Sequence, residues 1–361
     1  MATIHETTTP ATEVAPSHHV WSHVFNLVVL VGGVIALSIM MERLGWDNAR
    51  AVLVGVGGWF WLILALDLVG MALDAGAIHA FMRPEALMVS YWHVFAAQAS
   101  GRAINIFVPG GVVGEATKVS MLVTRAPRDR VLSSIVLFNL ATFYISVAIV
   151  LVGVPITLLA VDLPHELEVA VWIALAVLVP IVIVIGVIVH RGAIDTALAT
   201  LRRVGVISKE RCARWRASVG ELDNHLKELH SDKSPGTRSA FVLLLISRLV
   251  AWIATIVVLG SIGVTLHMTV IIGVLSVGVL ISWISAIIPF GFGIADGGNY
   301  ALFDALGASG AHGVFVTLLN RARTISIALI GFAIMAIAHF ANRGEVRRRH
   351  RRYRSLTKPP V

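Results

Sequence analysis

The chain has 361 residues, of which 57% are hydrophobic and only 14% are charged, and its mean hydropathy is +0.83. A water-soluble protein of this size needs far more charged surface, so the composition points to an all-α polytopic membrane protein. The net charge of +8 would suggest nucleic acid in a soluble protein. Here most Lys and Arg fall in two blocks, Arg191–Arg238 and Arg343–Lys358, as cytoplasmic flanks of membrane spans do, so no nucleic-acid partner is expected.

Residues 1–20 read as a disordered polar tail; Met1–Ser17 has no Lys or Arg and so lacks the basic start of a signal peptide. Windows of about 20 apolar residues mark candidate spans at 21–41, 51–74, 88–108, 131–158, 168–189, 239–263, 268–288 and 313–340. They form a single membrane domain, 21–340, followed by a basic cytoplasmic tail, 341–361. The basic loop 190–238 is amphipathic: Trp215, Val219, Leu222, Leu226 and Leu229 recur at helical spacing, with Arg211, Arg214, Arg216 and Lys227 interleaved. The single cysteine, Cys212, excludes an intramolecular disulfide.

Loops 42–50, 116–130 and 190–238 carry Lys or Arg, whereas loop 161–167 has Asp162 and Glu166 and no basic residue. This distribution places the N-terminus outside and the basic loops in the cytoplasm. Three full crossings after residue 238 would then strand the basic tail outside. A re-entrant hairpin at 268–308 restores the parity, giving seven full crossings plus one hairpin and about 7–8 hydrophobic helices.

That hairpin turns at Pro289-Phe-Gly291-Phe-Gly293-Ile-Ala-Asp296, followed by Gly297, Gly298 and Asn299. Proline and closely spaced glycines end a helix, and lipid tolerates a broken helix only where protein or water surrounds it. The first half holds a second such break, Pro109-Gly110-Gly111-Val-Val-Gly114-Glu115. Both end in an acid, and both contain a GxxxG pair, Gly110/Gly114 and Gly293/Gly297, expected to let helices approach closely. Paired glycine-interrupted segments in the two halves point to a transporter's binding site.

Polar residues inside the spans support that reading. Gln98, Arg102 and Asn105 share a helical face, as do Thr317, Arg321 and Thr324. Asn139, Thr142 and Ser146 form a third stripe; Arg248 lies deep in its span, and Asp67 and Asp74 share a face. Arg323 falls off the Arg321 face and reads as a snorkelling residue. Buried arginines and acids either pair to hold helices together or bind a substrate. Arginine's planar fork suits a phosphate diester.

The two motifs resemble those of the lysylphosphatidylglycerol synthase transmembrane family, also called the flippase-like integral membrane family. Asn105 through Pro109, Gly114-Glu115 and Lys118 match its first signature; Pro289 to Asp296 match its second, and Arg321 matches a later Arg. Phe290 stands where the second signature has Gly, and Asp296 where it has Glu. The resemblance covers roughly residues 21–340 and implies the handling of polar lipids such as phospholipids, hopanoid-linked lipids or polyprenyl-linked sugars. In the family's bifunctional members the synthase activity belongs to a soluble domain after the membrane part; with only a basic tail in that place here, the resemblance is not expected to carry that activity over.

The expected function is therefore a lipid translocase of the inner membrane, not an enzyme, with no cofactor and no metal. Membrane lipids are the expected partners, together with lipid-modifying membrane proteins, and an oligomer is compatible. The expected contacts to substrate are Arg102, Asn105, Glu115, Lys118, Arg248, Asp296, Asn299 and Arg321. Asp296 is expected to face Arg102 and Glu115 across one cavity. The alternatives are a membrane-embedded transferase using Glu115 or Asp296 as base, and a non-catalytic scaffold. No GxxxxGK[ST] is present to couple ATP.

Overall fold

A computed structural model describes residues 50, 54–83, 89–106, 111–190, 235–286 and 293–356. The expected span 21–41, the Trp215–Leu229 stripe and the motif residues Pro109, Gly110, Pro289 and Gly291 lie outside the described residues. The described part is helical: α1 (Trp59–Phe81), α2 (Tyr91–Asn105), α3 (Val112–Leu122), α4 (Arg128–Ala160), α5 (His165–His190), α6 (Pro235–Ser261), α7 (Met268–Ser285), α8 (Ile294–Ala305) and α9 (Gly310–Leu356). Six of them are long and apolar enough to cross a membrane: α1, α4, α5, α6, α7 and α9. The basic tail through Leu356 continues α9 as helix.

One expected span differs. Within the segment at 88–108, the described residues 89–106 hold the 15-residue α2, about 22 Å long at 1.5 Å per residue and short of a ~30 Å hydrocarbon core. The chain then turns into the short α3, which packs back on α2. Gly111 opens α3 at φ 69°, and Gly293 opens α8 at φ 85°. Side chains rarely tolerate that left-handed backbone, so glycine supplies both turns. α7 and α8 are likewise packed together, and each half of the chain thus holds a hairpin.

The packing is reciprocal between the halves. α1 lies along α6, α4 packs on α7, and α9 packs on α2. Gly153 of α4 sits against Ser276 of α7, and Gly331 of α9 sits against Ala99 and Ala103 of α2. α1 and α6 run antiparallel: Phe81 at the end of α1 meets Phe241 near the start of α6, with ring centroids 5.5 Å apart. One apolar cluster joins the end of α1 to α2, α3 and the start of α6, including Phe81, Val94, Leu122 and Leu244. The corresponding cluster joins the end of α6 to α7, α8, α9 and the start of α1, including Ile63, Leu259, Val270 and Phe303. A third cluster ties α5 to α4, α7 and α8. Two halves of like plan and opposite direction thus enclose a middle layer, and the charges sit there.

Candidate functional site

α1 buries a stripe of Ile63, Asp67, Gly70, Met71, Asp74 and Ile78, so both acids face the protein interior. Each acid is met from another helix. Arg248, midway along α6, donates from Nη2 to Asp74 Oδ1 at 2.9 Å and to Oδ2 at 3.2 Å. Ser247 Oγ adds a 2.6 Å bond to the same Oδ1. Arg323 of α9 grips both carboxylate oxygens of Asp67 through Nε and Nη2. Arg102 of α2 approaches Asp74 only at 4.0 Å, and its side chain is 40% exposed. Among the described residues, three guanidiniums therefore share two carboxylates, leaving one positive charge in excess. The 40% exposure is to a cavity of about 420 Å³, lined among others by Asp67, Arg102, Asn299, Asn320, Arg323 and Thr324. Aliphatic side chains from α6, α7 and α9 complete its wall.

The two motif acids occupy matching places at the starts of α3 and α8, with different partners. Asp296 Oδ2 accepts the Gly293 N–H at 3.0 Å and so caps α8. Both of its oxygens also accept from Arg321, at 2.9 and 2.7 Å. Glu115 accepts from Lys118 (2.8 Å), Asn105 (3.2 Å) and Asn139 (3.0 Å). Asn139 and Arg321 each lie eleven residues beyond the start of the helix after the hairpin. Lys118 and Asn299 each lie three residues beyond the acid. In the first half the cation is on the short helix and the amide on the long one; in the second half they are exchanged. Asn299 does not bind Asp296, donating instead to Thr317 Oγ1 at 2.9 Å.

The expected contact residues do not converge on one cavity. Arg102 and Asn299 line the central cavity. Arg248 stands behind it on Asp74, and Arg321 is taken up by Asp296. Glu115 and Asn139 open instead into a separate groove of about 1100 Å³ between α3 and α4. Asp296 therefore does not share a wall with Glu115, because α3 turns its acid away from the centre and toward α4. Lys118 is buried, 5.7 Å from the centre of the Phe138 ring. Arg323 does not snorkel; its ion pair with Asp67 holds it inside. Asp67, Arg323 and Asn320 belong to the central site although sequence reasoning did not select them as contacts. The signal was there, since an ionisable residue at membrane depth is itself a functional pointer.

The glycine reading also needs correction. A Cβ at Gly114 would lie 2.0 Å from Asn105 Oδ1 and 2.2 Å from Gly101 O, so close approach is real there. Gly293 and Gly297 have nothing within 4 Å of a built Cβ; close contacts between α7 and α8 are made instead by Gly298 on Ile281 and Gly273 on Leu306.

No match was found among curated proteins or among solved structures. A family model described as the lysylphosphatidylglycerol synthase TM region matches residues 24–354. That match spans both hairpins, both motif acids and the central charge cluster, and the chain is a multi-pass membrane protein that belongs to this family.

Proposed function

We propose that this protein moves a polar or anionic lipid between the leaflets of the inner membrane, its headgroup passing through the central cavity. The observation that carries the reading is the surplus cation: among the described residues, Arg102, Arg248 and Arg323 face only Asp67 and Asp74. A phosphodiester carries one negative charge, matches the surplus, and offers the oxygens a guanidinium fork prefers. A purely structural network would be expected to balance, because an excess charge taken out of water is expensive. The hydrocarbon chains stay in the bilayer while the headgroup crosses, and no ATP is consumed, so the lipid's own imbalance or a gradient drives the movement.

Membrane placement follows the inverted plan of the two halves. In this reading α2–α3 and α7–α8 are both re-entrant hairpins, entering from opposite faces, with their turns near the bilayer centre. Span 21–41 with α1, α4, α5, α6 and α9 then gives six full crossings. Arg83, Arg125, Arg128, Arg130, the loop 191–234 and the end of α9 all fall on the cytoplasmic side. The segment ahead of residue 21 falls there too, reversing the placement expected from one hairpin.

The test is a vesicle assay of leaflet exchange with fluorescent phospholipids and purified protein. Wild type accelerates exchange, and Arg102→Gln lowers it about 10- to 100-fold, the worth of one charge-assisted hydrogen bond of roughly 1.5–3 kcal/mol. Exchange by the variant at the wild-type rate would remove the reading's main support.

A further inference from the structure

The groove between α3 and α4 is more than twice the volume of the central cavity and differs from it in character. Its wall is largely aliphatic, including Val119, Leu132, Ile135 and Val136, with Glu115 and Asn139 at one end and Arg128 at the other. The eleven residues from Arg128 to Asn139 rise about 16 Å, close to half of a ~30 Å hydrocarbon core. The groove is therefore one leaflet deep. Arg128 gives its mouth a positive charge, in a segment where Arg125 and Arg130 outnumber the one acid, Asp129.

The matching place in the other half is shut. α8 packs closely on α9, where a Cβ at Gly313 would lie 2.2 Å from Asn299 O and one at Gly310 would lie 2.5 Å from the Tyr300 ring. Counting from the start of the long helix, Arg128 and Val131 stand where Gly310 and Gly313 stand. Side chains at those two positions keep α3 from closing on α4 as α8 closes on α9. The opening on one side is thus written into the sequence.

We infer that the α3–α4 groove is a lateral lipid site, admitting an anionic phospholipid from the leaflet on the Arg128 side, and from that leaflet alone. Its phosphate rests against the basic mouth, one acyl chain lies along the aliphatic wall, and the polar end at Glu115 and Asn139 receives the headgroup as it moves inward. The inference rests on the lipid-movement reading for its role as an entrance, but not for its existence as a binding site.

The experiment uses the full chain in vesicles containing phosphatidylglycerol or phosphatidylcholine with a photoactivatable acyl chain, the labelled peptides being mapped after irradiation. Phosphatidylglycerol is expected to label residues 116–123 and 132–136 at least 5-fold more than phosphatidylcholine. Arg128→Glu removes that preference, and Val136→Trp, which fills the groove from a position 38% exposed, lowers labelling and lipid exchange at least 5-fold. Even labelling of these residues and of lipid-facing positions on α5, such as Ile173 and Val177, would overturn the site. So would unchanged groove labelling in Val136→Trp. Lost labelling with unchanged exchange would overturn its role as the entrance. Groove labelling in a wild type that exchanges no lipid would sustain the site while removing the lipid-movement reading.

Discussion

The Asp67–Arg323 pair offers a direct test of what holds the middle layer together. Asp67 lies on α1 and Arg323 on α9, with side-chain exposures of 5% and 19%, and the guanidinium meets both carboxylate oxygens. Replacing Asp67 by Asn keeps the volume but leaves Arg323 beside a neutral group, in a cavity already one cation in excess. Stranding one member of a buried pair costs about 3–5 kcal/mol, whereas replacing both members by apolar groups of similar size is often neutral. At about 2 °C per kcal/mol, Asp67→Asn should lower the thermal midpoint of the purified protein by roughly 6–10 °C. Asp67→Leu combined with Arg323→Met should recover most of that loss. The assay is fluorescence-detected unfolding in detergent of wild type, Asp67→Asn, Arg323→Met and the double. Lipid exchange is measured on the same four proteins. The double variant should be stable and slow, because Arg323 lines the cavity as well as bracing α9 against α1. Single variants as stable as wild type would refute the reasoning, showing that water reaches the pair freely. A double variant with full exchange would confine Arg323 to bracing.

Three further outcomes are expected. Gly114→Ala forces a Cβ to within 2.2 Å of the Gly101 carbonyl and should cost about 1–3 kcal/mol by overpacking; Gly297→Ala meets nothing within 4 Å and should gain up to about 1 kcal/mol of helix propensity, both read by thermal unfolding. In a Cys212→Ser background, a cysteine at Arg50 should react with an impermeant thiol reagent from outside the cell, as should one at Asp162, whereas one at Arg128 should not; protection of the Arg50 position would restore the single-hairpin topology. Arg321→Lys keeps the charge but loses the two-point grip on Asp296, so exchange should fall about tenfold while Arg321→Ala falls further; equal rates for the two variants would assign no role to the fork.

The sequence made the hairpin turns visible because proline, clustered glycine and an acid inside apolar runs have few uses other than a broken membrane element. It made the apolar helices visible for the same elementary reason of length. It did not reveal that 88–108 is a short helix and a turn, because a hydropathy window averages across Asn105 and Gly111 and registers only that the stretch is apolar. The partners of the charges were also out of reach. Asp67 with Arg323 and Asp74 with Arg248 are pairings across 256 and 174 positions of chain, and helical spacing ranks faces within one helix without saying which helix comes opposite. That is why Arg323 looked peripheral although it lines the central cavity, and why Arg321 was expected on the substrate although Asp296 holds it. Gly101, Gly153 and Gly331 went unremarked because a lone glycine in a span becomes informative only when the backbone it admits is known.

The exchange of cation and amide between the halves bears on how such a protein could work. If Glu115 and Asp296 were only structural anchors, each would do best with its cation at the shorter reach, on its own hairpin. Lys118 fits that description: it is buried within one turn of Glu115 and ties α3 to itself. Arg321 does not, since it ties α8 to a different helix, α9, through a two-point contact. Asn139 makes the weaker counterpart contact from α4 to α3, through one hydrogen bond from its neutral amide to the Glu115 carboxylate. Two bonds from a guanidinium to a carboxylate outweigh a single bond from a neutral amide, so the α8–α9 side is held more firmly than the α3–α4 side. The open groove and the sealed one are then the packing expression of the same difference. On the reading proposed above, lipid access from one leaflet would follow from a cation standing on α9 where α4 has an amide, reinforced by glycines where α4 has Arg128 and Val131. Moving the cation, with Asn139→Arg and Arg321→Asn in one chain, should draw α3 toward α4 and loosen α8. Spin-label distances from α3 to α4 and from α8 to α9 would then change in opposite directions, and no change in either would show that backbone packing alone sets the asymmetry.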